Sequence, residues 1–69
     1  MLELNKTFMY LGKEYRITRI DEKKNKINID LIDKTIPSPE INDKIEIENK
    51  KYKVIYVHQT LKRISVVQI

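Results

Sequence analysis

Leu4 to Ile32, LNKTFMYLGKEYRITRIDEKKNKINIDLI, returns thirty-seven places later as Ile41 to Ile69, INDKIEIENKKYKVIYVHQTLKRISVVQI. Asn5, Lys13, Tyr15, Ile27 and Ile32 fall on the same residue types at Asn42, Lys50, Tyr52, Ile64 and Ile69. Phe8, Tyr10, Ile17, Ile20 and Ile29 fall on Ile45, Ile47, Val54, Val57 and Val66, so the repeated feature is an apolar pattern. That pattern has period two. Ile45 and Ile47 alternate with Glu46 and Glu48, and Ile27, Ile29 and Leu31 with Asn28 and Asp30, as half-buried strands do. No stretch sustains a helical period.

Each copy therefore reads as three strands. Gly12-Lys13 and Asn49-Lys50 are the expected two-residue hairpin loops, with Gly suiting a type II′ turn and Asn tolerating positive φ. With those loops, Tyr10 faces Tyr15 and Ile47 faces Tyr52 on the core side, while Glu48 meets Lys51 and Glu46 meets Lys53 outside. Tyr15 and Tyr52 are core residues on this reading. Beyond each hairpin the inward spacing slips from two to three, at Ile17 to Ile20 and at Val54 to Val57, which predicts a β-bulge in each long strand. Leu2 and Leu4 suggest a further edge strand over Met1 to Asn5. The connector, residues 33–40, carries both prolines and reads as an extended crossing between the halves. The expectation is one all-β domain over residues 1–69, with copies at 4–32 and 41–69: two duplicated three-stranded antiparallel meanders, closed as a small barrel or packed as a compact sandwich.

Sixty-nine residues bury only a modest core, about 60% of the surface the unfolded chain exposes. Association would add to it. Cysteine is absent, so neither disulfides nor thiolate metal sites contribute. The net charge of +4 is even: residues 1–37 hold eight cations against six anions, and residues 38–69 six against four. No apolar window approaches a membrane span and no signal peptide is evident, so the expected location is cytoplasmic or in a virion, with no membrane partner.

The chain offers little chemistry. His58 is the one histidine and has no Cys, second His or close carboxylate cluster at ligand spacing. Asp21, Glu22, Asp30 and Asp33 alternate with Lys and Asn in the manner of a solvated surface. Gly12 is the one glycine, too few for a phosphate-cradling loop. The reading is a non-enzyme without cofactor, metal or catalytic residues.

Two surfaces stand out. Copy one places Met9 and Leu11 outward where copy two places Glu46 and Glu48, an apolar pair on a face its duplicate keeps charged. With Tyr56, beside the second bulge, and with Val67 and Ile69 of an uncharged terminal strand that would add to a neighbour if it were an edge, these are the candidate protein contacts. The alternative for Met9 and Leu11 is that Ile36 of the connector covers them. Separately, Lys50 to Arg63 contains no acidic residue, and Lys50, Lys51, Lys53, Lys62 and Arg63 with Tyr56 form a candidate nucleic-acid face.

The stretch Asn42-Asp43-Lys44-Ile45-Glu46-Ile47-Glu48-Asn49-Lys50-Lys51-Tyr52-Lys53-Val54-Ile55-Tyr56-Val57 resembles a motif of the small β-barrel head-to-tail joining and tail-completion proteins of tailed bacteriophages. There an Asp-led strand is followed by a tight Gly or Asn turn, an aromatic and Val-x-x-Val. Copy one is similar, with Lys6 at the acidic position. The resemblance implies a virion structural protein, an adaptor in a ring of identical subunits, and carries over no individual functional residue. The expected function is thus a protein-binding and assembly module that self-associates as a homo-oligomer or binds another virion or host protein. Its rivals are a basic barrel that binds nucleic acid and a virus-encoded inhibitor of a host protein.

Overall fold

The computed structural model describes residues 2–69. Six antiparallel strands, β1 (Thr7–Tyr10), β2 (Lys13–Asp21), β3 (Lys26–Leu31), β4 (Lys44–Ile47), β5 (Lys50–His58) and β6 (Arg63–Gln68), form one sheet in the order β1-β2-β3-β6-β5-β4. The sheet curls until β1 touches β4, making a nearly closed barrel; among the described residues no strand ladder joins that seam. The ion pair Lys6 Nζ to Glu48 Oε2, at 3.4 Å, bridges it at one end.

The core is drawn mostly from matched positions. Copy one supplies Tyr15, Ile17, Ile27, Ile29 and Leu31, and copy two supplies Ile45, Ile47, Tyr52, Val54, Ile64 and Val66. Both bulges occur where the spacing slips: the ladder skips between Ile17 and Arg19 and again between Val54 and Tyr56. Each adds a residue on one strand only, which bends the long strands and lets six short strands curl into a barrel.

The repeat reaches into the loops. Asn5 N donates to Ile17 O at 2.7 Å, and Asn42 N to Val54 O at 2.8 Å. Both asparagines stand at positive φ, 67° and 76°, a backbone state that Asn tolerates better than most residues, which accounts for their identity. Leu31 N donates to Lys62 O and Gln68 N to Asn25 O, each at 2.9 Å.

Three expectations are corrected. The hairpin loops are Leu11-Gly12 and Glu48-Asn49, one residue earlier than Gly12-Lys13 and Asn49-Lys50, and all four loop residues have positive φ, between 50° and 78°. These are type I′ conformations, whose twist matches that of the flanking strands. Phe8 consequently faces Tyr15, the rings stacked at 5.4 Å, and Glu46 meets Lys51 while Lys44 faces Lys53. Partners move by two places, so every side chain keeps its face. Next, β6 lies between β3 and β5 and is no edge: the edges are β1 and β4, so the terminal strand has no free ladder to offer. Lastly, residues 2–5 form no strand. Leu2 packs against the core and Leu4-Asn5 turn, while Met1 lies outside the described residues.

Candidate protein-contact surface

β1 and its turn carry Met9 and Leu11 on the outer side, 62% and 81% exposed. Ile36 does not cover them, because the connector turns inward and Ile36 packs on the core. Met9 lies in a shallow depression with Glu46, Glu48 and Asn49, so the apolar patch meets its acidic counterpart directly across the seam. Leu11 is the first loop residue, at φ 51°. A left-handed backbone costs an ordinary L residue about 1–2 kcal/mol, and the neighbouring Gly12, at φ 78°, avoids that cost.

The other candidates lie elsewhere. Tyr56 is 54% exposed on β5 beyond the bulge, opposite Ser65, and Ile55 beside it is also exposed. Val67 is half-buried within the sheet, facing Lys53 on one side and Lys26 on the other. Ile69 follows β6 and is exposed, its N–H donating to Lys51 O at 3.0 Å. Met9 and Leu11 are neighbours; Tyr56 does not join them. Sequence reasoning missed Leu4 and Ile41, exposed residues at the same repeat position in the turns before β1 and β4, and Leu61 in the last turn. For Leu4 and Ile41 the available signal was their match in the repeat, with Leu4 falling in the expected edge strand over Met1 to Asn5.

The basic run also divides. Arg63 donates through Nε and Nη2 to both carboxylate oxygens of Asp30, at 2.7 and 3.1 Å, and that contact raises the guanidinium pKa. Lys62 Nζ donates to Ile36 O. Lys51 faces Glu46, and Lys50 points toward an end of the barrel. What gathers instead is an outer row that crosses Lys44, Lys53, Val67 and Lys26. The equivalent row of the other half runs Thr7, Arg16, Asp30 and Arg63. Val67 thus stands where the second row has a carboxylate, and Lys26 and Lys44, outside the run, complete the cationic row.

The two barrel ends differ. At one, the connector lies across the opening, with Lys62 Nζ donating to Ile36 O and Lys13 Nζ to Pro37 O, both at 3.2 Å. At the other, an open cleft of about 360 Å³ is floored by Leu2, Ile20 and Tyr52.

Comparison of the chain with protein-family models, curated proteins and solved structures returns no match.

The polar groups considered for chemistry serve the turns. His58 Nδ1 accepts from Leu61 N at 3.3 Å, Asp21 from Lys24 N at 3.3 Å, and Asp33 from both the hydroxyl and the N–H of Thr35. Those two bonds, the hydroxyl's first, hold the Asp33 carboxyl below its ordinary pKa. Among the described residues, no three of His, Asp and Glu gather closely enough to hold a metal ion.

Proposed function

We propose that this chain is a non-enzymatic protein-binding and assembly module, of the kind used as a virion structural or accessory component in tailed phages. The observation that supports it is Leu11, a large apolar residue 81% exposed in a turn position that disfavours it. A residue that is both strained and exposed contributes nothing to this fold that Asn or Gly would not, and backbone strain of this type accompanies functional sites. Met9 extends the patch. Fully burying two such side chains against a partner is worth about 1.5–3 kcal/mol each, and a second copy of the chain is the partner the reading favours.

Size-exclusion chromatography with light scattering, at low and high salt and with and without a short oligonucleotide, tests this. The expected result is an oligomer that persists at high salt, ignores the oligonucleotide and becomes monomeric in Met9→Glu/Leu11→Glu. A monomer that moves onto the oligonucleotide at low salt overturns it.

The row of Lys44, Lys53 and Lys26 around Val67 supports a second reading, a basic barrel that takes a nucleic-acid backbone. On that reading, Lys26→Gln/Lys53→Gln weakens oligonucleotide binding and flattens its salt dependence.

A further inference from the structure

We propose that the open end of the barrel is a docking site for an extended peptide segment of a partner protein, with a β-branched aliphatic side chain anchored on Ile20 and Tyr52. This rests on the reading of the chain as a protein-binding module. The molecule supplies its own template. Shifted by thirty-seven positions, Ile20 becomes Val57 and Tyr52 becomes Tyr15, which share the core with Ile36, while Asn25 becomes Lys62 and Lys50 becomes Lys13. Lys13 and Lys62 hold the carbonyls of Pro37 and Ile36, and Ile36 packs on the core beneath them.

The open end keeps one of the two lysine positions, with Asn25 at the other, and no segment of the described residues lies across it. Lys50 stands at the position from which Lys13 reaches a carbonyl, and no hydrogen bond of its ammonium is recorded among the described residues. Leu31, under the connector, is fully buried, whereas its equivalent Gln68 is exposed at the cleft. Leu2 stands for Pro39 and packs on the core as part of the cleft floor, leaving the cleft open above it. The connector, residues 33–40, is committed to the other end, so the occupant comes from outside the described residues.

The rim adds a preference. Asp21 and Glu22 stand where the capped end has His58 and Gln59, beside Lys26 and Lys50. In the connector, Lys34 lies two residues before Ile36 and its Nζ reaches Leu31 O at 2.7 Å and Leu61 O at 3.1 Å. By the same shift, a cation at that place in a docked segment meets the carbonyls of Gln68 and Lys24, beside the turn that carries Asp21 and Glu22. The preferred occupant is an extended segment with a basic residue two places before a β-branched aliphatic one, followed by proline, whose missing N–H needs no partner.

The test uses a blocked peptide with the sequence of residues 32–39, titrated into the isotope-labelled chain and followed by amide NMR. Expected are saturable shifts at Ile20, Asn25, Tyr52 and Gln68 with a Kd of about 1 mM, since the free peptide lacks the tether that concentrates the connector. Replacing the peptide's isoleucine at the position of Ile36 by Asp should weaken binding at least about 10-fold, and Lys50→Ala in the protein about 5-fold. Absence of saturable shifts at those four amides, or shifts confined to Lys13 and Lys62, overturns the proposal. Light scattering on the same samples reads the Leu11 surface separately: an oligomer unchanged by the peptide leaves the assembly reading standing if docking fails.

Discussion

Ser65 Oγ donates to Asn28 Oδ1 at 2.8 Å, and the two residues occupy the same position of the repeat. They also face each other directly across β3 and β6, so the pseudo-twofold axis of the barrel passes between them. The Ser65 hydroxyl is the donor and the Asn28 carbonyl oxygen the acceptor, so this bond joins the two halves of the repeat at their axis.

Ser65 is buried, and Ser65→Ala leaves the Asn28 carbonyl oxygen without its donor. The expected cost is about 1 kcal/mol in urea unfolding. A double-mutant cycle with Asn28→Ala should return coupling of about 0.5–1.5 kcal/mol, and additivity would show that the bond is idle.

Leu11→Asn converts the first loop to Asn-Gly, the favoured type I′ pair, at a residue now held at φ 51°. Stability should rise by about 1 kcal/mol, which for a domain of this size raises Tm by about 4–8 °C. Self-association should weaken in the same variant. Stability and assembly moving in opposite directions would identify Leu11 as a residue retained for contact.

Burial pushes the Tyr15 phenol above its ordinary 10.0, with the charge of Asp43 and then Tyr10 adding to the effect; burial followed by Glu48 does the same to Tyr52. The folded chain therefore holds these protons more tightly than the unfolded one. The contribution is fully present below pH 10.0 and is lost as pH rises through the folded values. Alkaline unfolding should accompany their ionisation at 295 nm. Tyr15→Phe and Tyr52→Phe should each remove part of that late absorbance rise and part of the alkaline loss of stability.

Ile36→Ala should loosen one barrel end only. The expected cost is about 1–2 kcal/mol, scaled down from the value for full burial because the residue is half-buried. Hydrogen exchange at Leu31 and Ile32, beneath the connector, should speed up, while Gln68 and Ile69 at the open end change little. Equal acceleration at both ends would show that the connector is not a local cap.

The face of each strand side chain was legible in the sequence because period two is a local property. Ile17 and Val54, Tyr15 and Tyr52, and both bulges lie where the alternation and its slips put them. The same property hid the loop register: moving the turn from Gly12-Lys13 to Leu11-Gly12 shifts partners by two and leaves every face unchanged. Only twist matching at the turn chose between them. The exposure of Met9 and Leu11 was visible as a departure from the repeat, whereas Lys62 and Arg63 looked free until the fold brought Ile36 and Asp30 to them.

What the amino-acid order determined by itself was a duplicated three-strand unit with an inward apolar set, since alternation and repetition are written along the chain. Which strands became edges, which barrel end was capped, and which lysines found partners were decided by the tertiary structure. Those outcomes depend on closing the sheet around β3 and β6, which brings together residues more than thirty places apart, and no local pattern carries that information.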